Sequence, residues 1–209
     1  MSFLATQLIG FGAGGEEPFS PFSTEYTTVQ DTTVAKPSGA TQVIIECIGG
    51  GGRGDQNKTN GGGGGGAYAK TTVALDGTYT GIYIRVPTGT SGNSAFGKKN
   101  DVSGTNLCLA TGGNAGSDNS AGGTAASSTG DVKFSGGNGQ GGYPSGGGGA
   151  GGPSGAGSNA SSATGGAGGG SPAGAGGNAD VVGNVYGGGG GFSGTTRAGG
   201  IGYVKLAWS

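Results

Sequence analysis

The side chains that most often carry chemistry are sparse in this chain. There is no histidine, and the eleven Asp and Glu residues are scattered, with only Glu16 and Glu17 adjacent. A general base at neutral pH is most often His, and His is also the commonest metal ligand. No Ser-His or Cys-His nucleophile can be built, and no carboxylate pair for glycoside cleavage can be assigned. The expectation is therefore no enzyme, no catalytic residue, no metal and no cofactor.

Several motif-like strings fail on their surroundings. Gly10, Gly12 and Gly15 spell G-x-G-x-x-G, but a dinucleotide site needs a helix next, and Glu16-Glu17-Pro18 follows. Gly92, Gly97 and Lys98 approach a phosphate loop, yet Lys99 stands where Ser or Thr would hold magnesium. Arg53-Gly54-Asp55, an integrin-type tripeptide, reads as a polar turn between glycine blocks. The sequons at Asn57 and Asn159 matter only in a chain secreted by a eukaryote. Cys47 and Cys108 each sit in an apolar strand-like run. They read first as buried free thiols and second as a disulfide, because sequence alone cannot place their Cα atoms in bridging range.

The elements that must position any site are unusual. Of 209 residues, 59 are glycine, in blocks such as Gly49–Gly52, Gly61–Gly66, Gly146–Gly149 and Gly187–Gly191. Charged residues are 10% and the net charge is −1, so no basic patch points to nucleic acid or anionic lipid. No run approaches the ~20 apolar residues that span a bilayer, so no membrane insertion is expected.

Strand patterns bracket the glycine. Tyr26–Val34 alternates, and Gln42–Ile48 is a β-branched strand with Val43, Ile45 and Cys47 on one face. Ala67–Leu75 and Tyr79–Val86 read as a hairpin turning at Asp76-Gly77. Thr105–Thr111 and Asp131–Ser135 are weaker strands, and Gly202–Trp208 closes the chain with Val204, Leu206 and Trp208 on one face. The strands at Gln42–Ile48 and Gly202–Trp208 are expected in one sheet. No segment has a helical period. The fold class expected is all-β: a β-sandwich core with long glycine-rich insertions and no α-helix.

From Gly112 to Gly200 the glycines fall partly in register by three, as at Gly146, Gly149, Gly152 and Gly155. Seven prolines and a slipping register exclude collagen. A bundle of polyglycine-II-like helices fits instead. Each has three residues per turn and no internal hydrogen bonds, so backbone groups must pair between helices that lie close together. Interior helices then need pure glycine, and outer ones tolerate Ser, Asn or Thr.

Residues 1–22 form an apolar arm carrying Phe3, Leu4, Leu8, Ile9 and Phe11. The arm packs either on its own domain or on another protein, and residues 23–209 make the glycine-rich domain. Tyr143, Tyr186 and Phe192 lie in glycine-rich turns, where aromatics either contact sugars and proteins or cap the bundle ends.

The order of these pieces resembles a known family. Val43–Ile48 running into Gly49–Gly52, three glycines before Ala67-Tyr68-Ala69-Lys70, and the turn at Asp76–Tyr79 come first. Leu109–Gly113, Asp131–Gly137, Tyr186 with its five glycines, and Gly202–Trp208 follow. Together they resemble the glycine-rich domain of bacteriophage tail-fibre and tail-tip proteins, over residues 23 to 209. Cys47-Ile48 departs from the aromatic that often precedes the glycines there. The resemblance implies a virion structural protein with a role in host-surface attachment. Its partners would be other virion proteins through residues 1–22, a protein or polysaccharide receptor on the bacterium, and further copies of itself in a homo-oligomer. A head decoration or head-fibre protein anchored by the arm is the alternative.

Overall fold

The computed structural model describes residues 19–55, 61–116 and 119–209. The described residues form strands and no helix. The strands are β1 (Phe22–Tyr26), β2 (Gln30–Ala35), β3 (Gln42–Ile48), β4 (Tyr68–Ala74), β5 (Gly81–Val86), β6 (Ala95–Lys99), β7 (Asn106–Ala110), β8 (Val132–Phe134) and β9 (Tyr203–Trp208). They make two antiparallel sheets, β1-β9-β3-β4-β8 and β2-β5-β6-β7.

Alternation decides which side chains enter the core. Val43, Ile45 and Cys47 of β3, Val204, Leu206 and Trp208 of β9, and Ile82, Ile84 and Val86 of β5 are buried between the sheets. β3 pairs with β9 from Val43 opposite Trp208 to Ile48 opposite Tyr203, so the two strongest strands of the sequence share a sheet as expected. On the outer face one rung alternates in charge across four strands: Glu25, Lys205, Glu46, Lys70. Glu25 and Lys205 pair at 3.7 Å, and Glu46 and Lys70 at 3.5 Å.

Three local expectations are corrected. Tyr26–Val34 is not one strand: β1 ends at Tyr26, and β2 begins at Gln30 in the other sheet. The Asp76-Gly77 turn does not close a hairpin. β4 lies between β3 and β8, β5 lies between β2 and β6, and the turn carries the chain from one sheet to the other. β6 was hidden in the phosphate-loop-like string. Its central residue, Gly97, lies under Ile45, where an added Cβ would meet Cγ2 at 2.9 Å. A glycine at the inward position erases the alternation that marks a strand.

The glycine tracts extend from one end of the sandwich as a hydrogen-bonded bundle with a period of three. In residues 49–55 the amides of Gly49, Gly52 and Asp55 donate to Ala67, Gly64 and Gly61. Those of Gly50 and Arg53 donate to Asn93 and Thr90, and those of Gly51 and Gly54 to Gly200 and Arg197. Each third residue thus faces the same neighbour, as three residues per turn require.

The tract Gly61–Gly66 is buried throughout. Its amides donate to tracts 135–141, 187–192 and 111–116, and its carbonyls accept from tracts 49–55, 145–152 and 120–125. It therefore lies inside a hexagon of neighbours. Tracts 145–152 and 187–192 are enclosed in the same way, and the three touch one another. Gly63 donates to Gly190 at 2.8 Å, Gly148 to Gly63 at 2.9 Å, and Gly189 to Gly148 at 2.8 Å. These tracts hold three of the four longest glycine runs; the fourth, Gly49–Gly52, is buried beside them. A Cβ added at Gly63, Gly148 or Gly189 would overlap the carbonyl oxygen of Gly52, Gly137 or Gly63.

At the outside of the bundle, where a neighbouring tract is missing, asparagine side chains stand in for its carbonyls. Asn138 Oδ1 accepts from the Gly122 amide at 3.0 Å and Asn159 Oδ1 from the Asn138 amide at 2.8 Å. Asn178 Oδ1 accepts from the Gly165 amide at 2.9 Å and Asn119 Oδ1 from the Gly141 amide at 3.2 Å. A second apolar cluster of Ile48, Tyr68, Ala150 and Tyr203, flanked by Phe134, Ala173 and Tyr186, seals the joint between sheet and bundle.

Candidate functional site

The bundle has a sheet end and a tip end, set by where tracts leave and rejoin the strands. Tract 49–55 leaves from Ile48, and tract 61–67 returns into Tyr68. Turns 141–144, 161–164, 178–181 and 192–196 lie at the far end, the tip. The tip turns need left-handed backbone: Ser162 and Asp180 adopt φ of 53° and 64°, and Gly142 and Gly194 adopt 91° and 82°. Asn and Asp tolerate this region best after glycine, which fits Asp180.

The three aromatic candidates part company. Tyr143 sits at the tip and is 60% exposed. Its ring meets Phe192 edge-on, with centroids 5.9 Å apart and planes at 75°. Phe192 is fully buried, so it is a plug at the end of a central tract and not a contact residue. Tyr186 is half-buried at the sheet end, with its ring 5.1 Å from that of Tyr203. It belongs to the joint. Aromatic capping of the bundle thus describes Phe192 and Tyr186, and exposure is left to Tyr143. Phe3, Leu4, Leu8, Ile9 and Phe11 lie outside the described residues.

Beside Tyr143 the tip carries a polar cluster that the sequence did not flag. Asp180 accepts from Thr195 Oγ1 at 2.6 Å and from Arg197 Nε at 2.9 Å, and Arg197 Nη2 closes the ion pair at 2.8 Å. The Thr195 hydroxyl and then the Arg197 guanidinium hold the Asp180 carboxyl below its ordinary range. All three residues interrupt the glycine pattern between tracts, which was the available signal. Arg53 is exposed and Asp55 half-buried, while the Gly54 amide donates to Arg197. The Arg53-Gly54-Asp55 string is therefore the end of a packed tract, not a free turn.

A second polar surface lies on the outer face of the four-stranded sheet. Arg85 holds Asp31 through Nε at 2.7 Å and Nη2 at 3.0 Å, and its guanidinium lies 4.8 Å from the Phe96 ring centroid. Lys98 Nζ lies 5.1 Å from the same ring. Each cation has an acidic neighbour, Asp31 or Asp101, so the groove they line is balanced in charge.

Among the described residues no group of three His, Cys, Asp or Glu is placed to hold a metal ion, and no helix is long and apolar enough to cross a membrane. The tip offers one exposed phenol, a fixed Asp–Arg pair and a threonine hydroxyl on a rigid support. Such groups suit contact with a hydroxylated or polar surface. Compared with known proteins, the chain matches no protein-family model and no curated protein.

Proposed function

We propose that this chain is a bacteriophage virion structural protein, a tail-fibre or tail-tip component that presents the tip of its glycine bundle to the bacterial surface. The observation that carries this reading is the polarity of the molecule. The chain enters the sandwich at Phe22, opposite Trp208, and β3 starts at the same level, with Val43 opposite Trp208. That end faces away from the bundle. Phe19, the first described residue, therefore lies at the end opposite Tyr143 and Asp180, where an attachment segment would leave the tip free. The hydrogen-bonded lattice gives the tip a stiff stalk without long side chains. The family resemblance of residues 23–209 supports the same reading.

The test is to locate the chain on intact particles with a gold-labelled antibody and to measure host adsorption in the presence of the purified protein. Label at the tail tip and blocked adsorption, relieved by soluble host-surface material, are the expected results. Label on the head, with adsorption unchanged, would assign the chain to head decoration instead.

A further inference from the structure

Cys47 on β3 and Cys108 on β7 come from different sheets, and both are fully buried free thiols. They lie in one buried cluster on strands of facing sheets, close enough for each thiol to feel the other electrostatically. Stacked sheets ordinarily lie about 10 Å apart. Here Cα atoms of β3 and β7 come within 8 Å. Small residues permit that approach: Ala69, Gly97 and Ala110 surround the pair in the core.

We propose that Cys47 and Cys108 are a disulfide site, open in the reduced protein and closed across the sandwich by a small-molecule disulfide such as oxidised glutathione. The thiolate of one cysteine attacks glutathione disulfide and releases one glutathione thiolate. The thiolate of the other attacks the mixed disulfide and releases the second. The two protein thiols lose two electrons to one S–S bond, the glutathione disulfide is reduced to two thiols, and the two protons end on those thiols. A bridge needs Cα atoms about 4.4–6.8 Å apart, and Cα atoms of the two strands already come within 8 Å.

Burial pushes the Cys47 thiol well above its usual range, so the closed core reacts slowly. Entry is through β7. It is an edge strand, paired within its sheet to β6 and bridged on its outer side at Leu109 to Thr129, and the β6 pairing is irregular between Gly97 and Lys98. Local opening of an edge strand costs less than global unfolding. The bridge would join β3 to that edge strand and remove the opening.

The full chain is incubated with glutathione disulfide below its unfolding temperature, and a parallel sample receives iodoacetamide instead. Each is then denatured and analysed by intact mass and peptide mapping. The expected product is a monomer lighter by two hydrogens, with the Cys47 and Cys108 peptides linked, its β spectrum kept and its thermal midpoint raised by several degrees. Cys108→Ala should show no such rise. The proposal is overturned if iodoacetamide reaches the thiols but glutathione disulfide forms no bridge. It is equally overturned if neither reagent reacts, or if linkage appears only between chains or with loss of the fold.

Discussion

The amide of Gly148 donates to the carbonyl of Gly63, 85 positions earlier in the chain, at 2.9 Å, and no side chain takes part. The contact exists because neither residue has a Cβ. Gly148→Val or Gly63→Val should therefore lower stability by more than about 3 kcal/mol, combining overpacking with lost buried hydrogen bonds. Gly77, with nothing near its missing Cβ, is the control: Gly77→Ala should change stability by less than about 0.5 kcal/mol. Denaturant unfolding separates the two, and equal effects would refute the lattice.

The asparagine caps predict a smaller and patterned cost. Asn138→Ala removes the acceptor for Gly122, and Asn178→Ala the acceptor for Gly165. Each should cost about 1 kcal/mol. Hydrogen exchange should speed up at Gly122 in the first variant and at Gly165 in the second, leaving the central tracts protected. Acceleration spread over the whole bundle in either variant would argue against local capping.

Tyr143 and Phe192 touch, yet their truncations should differ. Phe192→Ala empties a buried site and should cost about 3–5 kcal/mol. Tyr143→Ala should leave the thermal midpoint nearly unchanged and weaken binding to host-surface material. A Tyr143 variant with full binding would remove it from the proposed recognition surface.

Acid should loosen the tip before the core. Asp180 has a depressed folded-state pKa, caused first by the Thr195 hydrogen bond and then by Arg197. Its contribution is present above the ordinary carboxylate value of about 3.9 and is lost as pH falls through the lower folded value. An NMR titration of the Asp180 carboxyl should give a midpoint below about 3.9, returning toward it in Arg197→Gln and Thr195→Ala. A midpoint unmoved by both changes would remove these contacts as the cause.

Much of this architecture was legible in the residues. β-branched alternation marked Gln42–Ile48 to the residue, and the joint need of two apolar strands for partners placed β3 beside β9. The glycine period of three anticipated a bundle, because backbone pairing between tracts demands it. Other features depend on neighbours that no local pattern encodes. Asp76-Gly77 has the same turn chemistry whether the chain reverses within a sheet or crosses to the other one. Phe192 and Tyr143 both stand at glycine-rich turns, but Phe192 ends a central tract and Tyr143 lies in a turn at the rim. The Asp180–Arg197 pair joins two turns whose proximity only the lattice creates.

The closure of the bundle also fixes when it can form. Gly51 and Gly54, near the start of the bundle, are satisfied by Gly200 and Arg197, close to its end. A nascent chain on the ribosome cannot complete the first tract until the last has emerged, so most of the glycine region is synthesised before its partners exist. Long-range pairing of this kind folds slowly and leaves backbone groups exposed meanwhile. Ribosome-bound chains stalled before Arg197 should therefore be protease-sensitive throughout the bundle, and resistance should arrive in a single step once the final tract is released.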